Sequence, residues 1–573
     1  MNTVPAATRH RLATISRDAV IAKASLLIVL ASAILFLALP LALVLVESTR
    51  DAAGNAIGLG NYVTYFASPS LRVSALNSLL IAAVTTVICV PLAFVFSYCL
   101  THTRMRGKAF FSAVTIVPLL APSLLPAMSL VYLFGRQGLF GGGFFGGDIY
   151  GPQGICLAQV YFCFPAAVMI LTASMRMNDA RLYEASESLG ASGLRTFLRV
   201  TVPACRYGIL NACFVVFTLV TTDFGVPKII GGNFSVLSTD IYKQVVGQQN
   251  FQMGAVVGVV LLVPTLIAFG LDRLLQRKAQ ASFSSRSVLY RPRSSALDWP
   301  AFGFCALISA MILLVIGVAG WASFIKFWPY DLSLSLDSYR FDLVDMTGWA
   351  SYWNSLRLAV VVSALGTVFI CFAAFLIEKA GEHPLAGRFF HLLAMAPVAT
   401  PGMILGLGYI FFFNTPVNPL SFMFGGIVLM AINTVAHFYT VPHLMALTAL
   451  KKLDREIELV SDSLKASRFT TMRRVTLPLC AAAVLDIAVF LFVNSMTTVA
   501  ALIFLYSGET KTAAIAAINL DDSGIPASAL AMGMMIFYTC LIVKLCHAGA
   551  MTLLERHGMR RPRAGGAAAG MPA

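Results

Sequence analysis

The sequence predicts an all-α integral membrane protein of about twelve spanning helices in two parallel sets of six. Three observations predict it: an apolar excess too large for a soluble surface, a dozen apolar stretches of membrane-crossing length, and landmarks that occur twice at nearly one spacing. Of the 573 residues, 58% are hydrophobic and 12% are charged, where soluble domains hold about 45–50% and about 25%. With a mean hydropathy of +0.81, much of the surface has to face lipid.

The apolar stretches run approximately over 24–46, 78–100, 111–134, 155–174, 207–222, 253–271, 301–324, 356–377, 389–413, 425–442, 481–498 and 528–545. At about 1.5 Å per residue, such lengths cross or nearly cross a hydrocarbon core of roughly 30 Å. No stretch alternates with the period of two expected of a membrane barrel. Arg9, Arg11, Arg17 and Lys23 precede the first stretch, which is longer than a signal-peptide core and is followed by no convincing cleavage site before Arg50.

Placing that basic segment in the cytoplasm assigns every later loop. Of the 41 Lys and Arg, only Arg50, Arg72, Arg136, Lys228, Lys243, Lys326, Arg340 and Lys511 then fall on outer loops, and Arg357 and Lys544 within spans. This asymmetry predicts a multi-pass protein of a bacterial inner membrane with both termini cytoplasmic. It accounts for the net charge of +15 through anionic lipid, without nucleic acid. The 11 cysteines form no CxxC pair and lie mostly in or beside spans, which predicts packing rather than metal or redox roles.

The chain is written twice. Asn77-Ser78-Leu79 returns as Asn354-Ser355-Leu356 at an offset of 277 residues, and the proline pair Pro118/Pro122 as Pro397/Pro401 at 279. Arg199-Val-Thr-Val-Pro203 returns as Arg474-Val-Thr-Leu-Pro478 at 275. Six spans per copy keep the orientation, so the repeat is parallel. Residues 1–276 and 300–573 are the expected halves, joined by a basic, Ser-rich cytoplasmic linker over 277–299. The outer loops are too short to fold a ligand-capturing domain.

The third inner segment carries the densest pattern: Glu184-Ala185-Ser186, Gly190, then Val200-x-Val202-Pro203. Good helix formers over 181–189 place Ala185, Ser188 and Leu189 on one stripe. Gly190 suits a left-handed helix end, and a second helix over 194–200 is expected to stop before Pro203. The pattern resembles the E-A-A-x3-G-x9-I-x-L-P loop of permease subunits of type I ABC importers, and the resemblance covers nearly the whole chain in two passes. It implies the permease fold of that family and a loop, 181–203, that docks in a cytoplasmic ATPase. It implies two ATPase copies and a periplasmic solute-binding protein as partners. ATP and Mg are then used by the ATPase, with no cofactor, metal or catalytic residue in this chain. The second copy, 456–478, departs from the pattern: Leu459-Val460-Ser461 stands where Glu184-Ala185-Ser186 stands in the first, Asp462 matches Glu187, Lys465 replaces Gly190, and Pro478 is kept. An asymmetric pair of ATPase contacts is expected.

Gly508-Glu-Thr-Lys511-Thr512 lacks the first glycine of a phosphate-binding loop, and the Gly-rich 135–154 reads as an outer loop. Polar residues at membrane depth are costly and often line a path. Asp223, Asp486 and Asn494 are candidates for the solute path, or for helix-end and interhelical hydrogen bonding; Asn433 and His437 rank below them. The proline pairs are expected to kink their spans. Stretches at 151–155, 222–232 and 239–249 are similar to fused permeases assigned to 2-aminoethylphosphonate uptake, a branch similar to ferric-iron and thiamine permeases. Lys228 and Lys243 suit an anionic phosphonate or a docking contact. An ion-coupled secondary transporter fits the twelve spans equally but not the loop motif.

Overall fold

The computed structural model describes residues 6–141, 148–282, 296–379, 384–454, 456–464 and 466–556. Seven helices are long and apolar enough to cross a membrane unaided: Val20–Glu47, Pro69–His102, Pro152–Arg176, Phe251–Leu274, Asp298–Ala322, Ala350–Glu378 and Pro526–Arg556. The other five predicted spans are bent pairs, and taking each pair as one span gives twelve. Lys108–Leu120 and Leu124–Phe134 meet at 100°, and Ala386–Ala399 and Gly402–Phe413 at 114°. These turns are much sharper than kinks. Pro122 and Pro401 lie at the breaks, where a missing N–H and ring sterics prevent helical continuation.

Beside the helices stands a short antiparallel hairpin, Ile325–Phe327 with Asp331–Leu334. It follows the Asp298–Ala322 helix on the side away from the 181–203 loop, called here the far side.

The order of elements recurs along the chain. A long helix (Pro69–His102, then Ala350–Glu378) is followed by a sharply bent pair, a helix or bent pair, a two-helix knob, a shorter helix (Arg206–Thr222, then Ala481–Thr497) and a final long helix. The knob-bearing side is called the loop side.

The first helix of each sequence half packs across the molecule. Leu39–Glu47 lies against Gly402–Phe413, and Asp298–Ala322 lies against Leu124–Phe134 and Pro69–His102. A polar bond fastens each crossing. Pro40 has no N–H, which leaves the Phe36 carbonyl four residues earlier without its helical donor; Tyr409 Oη donates to that oxygen at 2.7 Å. Tyr161 Oη donates to the Ile312 carbonyl at 3.2 Å. The break at Pro401 is mended from the other half as well, by Thr265 Oγ1 donating to the Ala399 carbonyl at 2.9 Å. In lipid, such carbonyls have no water to turn to.

Candidate functional site: two knobs on the loop side

The first knob begins at Asp179, whose carboxylate accepts the Arg181 N–H at 3.1 Å and caps the helix Ala180–Ser188. Ala180, Tyr183 and Ser186 form its buried face. Glu184 and Ala185 are exposed, and Leu189 is 86% exposed. The expected stripe of Ala185, Ser188 and Leu189 therefore faces outward, one register away from the packed face, because Tyr183 is the side chain with an inward partner. Gly190 takes φ +70. Its N–H bonds the Glu187 carbonyl at 2.9 Å, and that of Ala191 bonds Ser186 at 3.1 Å, closing the helix in a Schellman turn.

Ser192 then caps Gly193–Thr196 through the Arg195 N–H at 3.4 Å. A π-helical turn, Phe197–Thr201, leads into Val202–Ala204. The expected stop before Pro203 is thus corrected: the helix carries Pro203 and bends at Cys205, by 66°, into Arg206–Thr222. The proline sits in the first turn after the π-turn, where a missing donor is tolerated. Ser186 and Thr196 hydroxyls, 2.7 Å apart, tie the two short helices.

The second knob repeats this construction. Glu456–Ser463 is followed by Arg468–Thr471, a π-turn Met472–Thr476 and Leu477–Leu479. Pro478 sits as Pro203 does, before a bend of 79°. Ser467 caps through Thr470 N at 3.2 Å, and Ser461 bonds Thr471. Ala466 N reaches the Ser461 carbonyl at 3.1 Å, the counterpart of the Ala191–Ser186 bond. Lys465 lies outside the described residues, as does much of the 277–299 linker (283–295), and of Asp462 only the helical backbone is described. Leu182, Leu189, Leu194 and Leu198 on one knob, and Leu459, Val460 and Leu464 on the other, are exposed apolar side chains. Each knob can present apolar surface around a polar helix.

The intramembrane candidates are placed separately. Asp223 stands at the break after Arg206–Thr222. It accepts from Gln159 Nε2 at 2.8 Å and from the Val226 N–H at 3.0 Å, and its carbonyl accepts from Ser238 Oγ at 2.8 Å. These bonds hold the start of the short helix Gly225–Ile230. Asp486 meets His547 Nε2 at 3.0 Å, joining Ala481–Thr497 to Pro526–Arg556. Asn494 donates within its own helix to Phe490 at 2.8 Å. The three are not brought together. Asn433 donates to the Ala501 carbonyl at 2.7 Å.

Asn77-Ser78 and Asn354-Ser355, landmarks of the repeat, have a matching structural task. Asn77 Nδ2 donates to Ser235 O at 3.0 Å, and Ser78 Oγ accepts from Leu237 N at 2.7 Å. Asn354 Nδ2 donates to Glu509 O at 2.7 Å, and Ser355 Oγ accepts from Ala513 N at 2.8 Å. Each pair starts the far-side helix preceding the last span. The look-alike at 508–512 belongs to this device: Lys511 is paired with Asp345 at 2.9 Å. Lys228 is paired with Asp522 at 2.9 Å, across the two sequence halves, and Lys243 donates to Ser235 Oγ at 2.7 Å. A far-side hollow of about 610 Å³ lies between the halves, lined by Tyr132, Arg136, Tyr150, Lys326 and Trp328 among others.

A helical membrane bundle with bent spans and paired loop-side knobs fits a transport permease, and comparison with known proteins points to a class. Residues 89–281 match the family described as binding-protein-dependent transport system inner membrane component. That stretch, about a third of the chain, is similar to the membrane components of binding-protein-dependent importers, in keeping with a multi-pass permease of the ABC importer type. Among individual proteins, it is 26% identical over 488 residues to the ferric transport system permease protein FbpB of Actinobacillus pleuropneumoniae, covering 82% of this chain and 70% of that one. It is 24% identical over 495 residues to the Fe(3+)-transport system permease protein FbpB 2 of Haemophilus influenzae, covering 84% and 89%. To the putative 2-aminoethylphosphonate transport system permease protein PhnU of Salmonella typhi it is 27% identical over 245 residues, covering 41% and 84%.

Proposed function

We propose that this chain is the fused double permease of an ATP-driven importer, in which 181–203 and 456–478 each dock one copy of a cytoplasmic ABC ATPase. The observation that carries the reading is the pair of knobs, built alike and each set before the fifth helix of its half. Residues 1–276 and 300–573 are then two versions of one permease, joined by the linker 277–299, with the loop side and both termini cytoplasmic. A periplasmic solute-binding protein delivers cargo to the far side. Glu184, Ala185, Gly190 and Pro203 form the first ATPase contact, with Ser186 bracing it from within through Thr196; Asp462, Lys465 and Pro478 form the altered second one, braced by Ser461. The chain itself hydrolyses nothing: it converts ATPase closure into alternating access.

For cargo we favour 2-aminoethylphosphonate, supported by the stretches at 151–155, 222–232 and 239–249 and by the similarity to PhnU. Ferric iron is the second reading, favoured by the relatives that align over both halves. The pairing of Lys228 with Asp522 leaves that cation neutralised in this arrangement, so it is not offered as an anion-binding group.

Reconstitution with a partner ATPase and binding protein tests both levels. ATP hydrolysis stimulated by loaded binding protein is expected, with aminoethylphosphonate stimulating and ferric ion not; the reverse would establish the second reading. Uptake abolished by an uncoupler while ATP is clamped would show an ion-coupled transporter instead.

A further inference from the structure

Each knob must pass its motion to the membrane helices, and a polar pair in each half is placed to do so. In the first half, Tyr183 Oη of the knob lies 3.0 Å from His102 Nε2 at the end of Pro69–His102. Thr101 Oγ1 meets the other ring nitrogen at 2.7 Å, and Tyr98 stacks on the imidazole with centroids 4.7 Å apart. Asn178 and Thr201 reach the same phenol oxygen, both at 3.3 Å. His102 and Tyr183 are 7% and 4% exposed, so this is a buried, satisfied cluster.

In the second half, Lys379 Nζ, at the end of Ala350–Glu378, lies 2.5 Å from Glu458 Oε1 of the other knob. Lys379 follows His102 by 277 residues and Glu458 follows Tyr183 by 275, the offsets of the flanking landmarks Asn77/Asn354 and Arg199/Arg474. One position-pair thus carries two chemistries: a buried imidazole–phenol bond in one half and an ion pair in the other. Retaining a link while replacing both partners is what a mechanical requirement produces; packing alone would accept apolar residues at either place.

We propose that Tyr183–His102 and Glu458–Lys379 are the transmission contacts of the transporter, positioning pairs that tie each ATPase-docked knob to the second helix of its half. The proposal rests on the docking reading given above. The two links differ in rigidity. The first is enclosed on several sides. The second has a Glu458 side chain 37% exposed, so it is open to screening by salt, and the second knob's sequence has Lys465 where the first has Gly190. Movement is transmitted firmly through the first half and more loosely through the second.

The test uses the full chain reconstituted with its ATPase and binding protein, comparing Tyr183→Phe, Lys379→Met, Lys379→Arg and the exchange Lys379→Glu/Glu458→Lys. Copurification of the ATPase reports docking, and cargo moved per ATP hydrolysed reports transmission. Tyr183→Phe and Lys379→Met are expected to keep the ATPase bound and hydrolysing while cargo per ATP falls about tenfold, within the usual range of coupling between sites. Lys379→Arg and the charge exchange should recover most of that loss, and raised salt should lower the ratio more in Tyr183→Phe than in Lys379→Met. Hydrolysis and uptake falling in proportion, or an unchanged ratio in all variants, would overturn the proposal. An unmodified chain that does not retain the ATPase would overturn the docking reading and this inference with it.

Discussion

At the residue scale, the most local demands are backbone ones. Gly190 sits at φ +70 with open space where a Cβ would be, so the cost of a side chain there is conformational rather than steric. Gly190→Ala is expected to destabilise the knob by about 1 kcal/mol and to weaken ATPase copurification modestly. Gly190→Pro also removes the N–H that closes on Glu187 and should weaken it severely. Equal effects of the two would argue against the Schellman turn.

The Phe36–Tyr409 bond makes a sharper case. Tyr409→Phe leaves a buried carbonyl unpaired, at a cost of about 1–3 kcal/mol, read as a lower thermal midpoint in detergent. Pro40→Ala supplies the missing N–H, so the same change made on that background should cost less. Additive costs would refute the account.

The glycine and the motif around it were legible because φ and helix termination are encoded within a few neighbours. The Tyr409 bond was not: its partner is 373 residues away. No local pattern marks an acceptor that a distant proline has orphaned.

At the scale of elements, Asp223 separates structure from pathway. Its carboxylate gathers Gln159 and the Val226 N–H at the start of Gly225–Ile230. Asp223→Asn keeps an acceptor for the N–H and should retain most uptake, while Asp223→Ala should lose much of it through a loosened helix start. Uptake abolished by Asn alone would instead assign the charge a place in the solute path.

The positions of all twelve apolar stretches were legible, since hydropathy over about twenty residues reports burial in lipid directly. Their shapes were not. Pro91, Pro165 and Pro264 lie inside continuous helices, whereas Pro122 and Pro401 lie at breaks of 100° and 114°. A proline allows a bend; neighbours such as Thr265, which occupies the freed Ala399 carbonyl, determine whether the bend is sharp.

At the scale of the whole molecule, the exchange of first helices means that neither half encloses its own core. Residues 1–276 and 300–573 expressed separately should each be unstable but should copurify when made together. A stable, monodisperse 300–573 would contradict the crossed packing. The far side supplies a pH handle. Burial, helped by Asp522 and opposed by Lys228, raises Asp521 from the usual carboxylate range to about 6. An acid whose pKa is raised by folding stabilises the fold below its unfolded value, near 4, and that contribution is lost as pH rises through about 6. The thermal midpoint of Asp521→Asn relative to the unmodified chain should therefore rise between pH 4 and 7 and stay level above. A difference independent of pH would show that Asp521 is solvated in this arrangement.

The sequence by itself determined that this is a helical membrane protein, that its chain repeats, and that a loop with a glycine helix end follows the fourth span, because lipid burial, internal duplication and helix ends are each written in residues close together. Tertiary structure alone decided which face of that loop is buried, which spans break, and which half each first helix embraces. It also placed His102 against Tyr183 and Lys379 against Glu458. Those outcomes depend on where a hydroxyl, a carbonyl or a charge finds its partner once the bundle has closed, and in lipid that partner has to come from another helix.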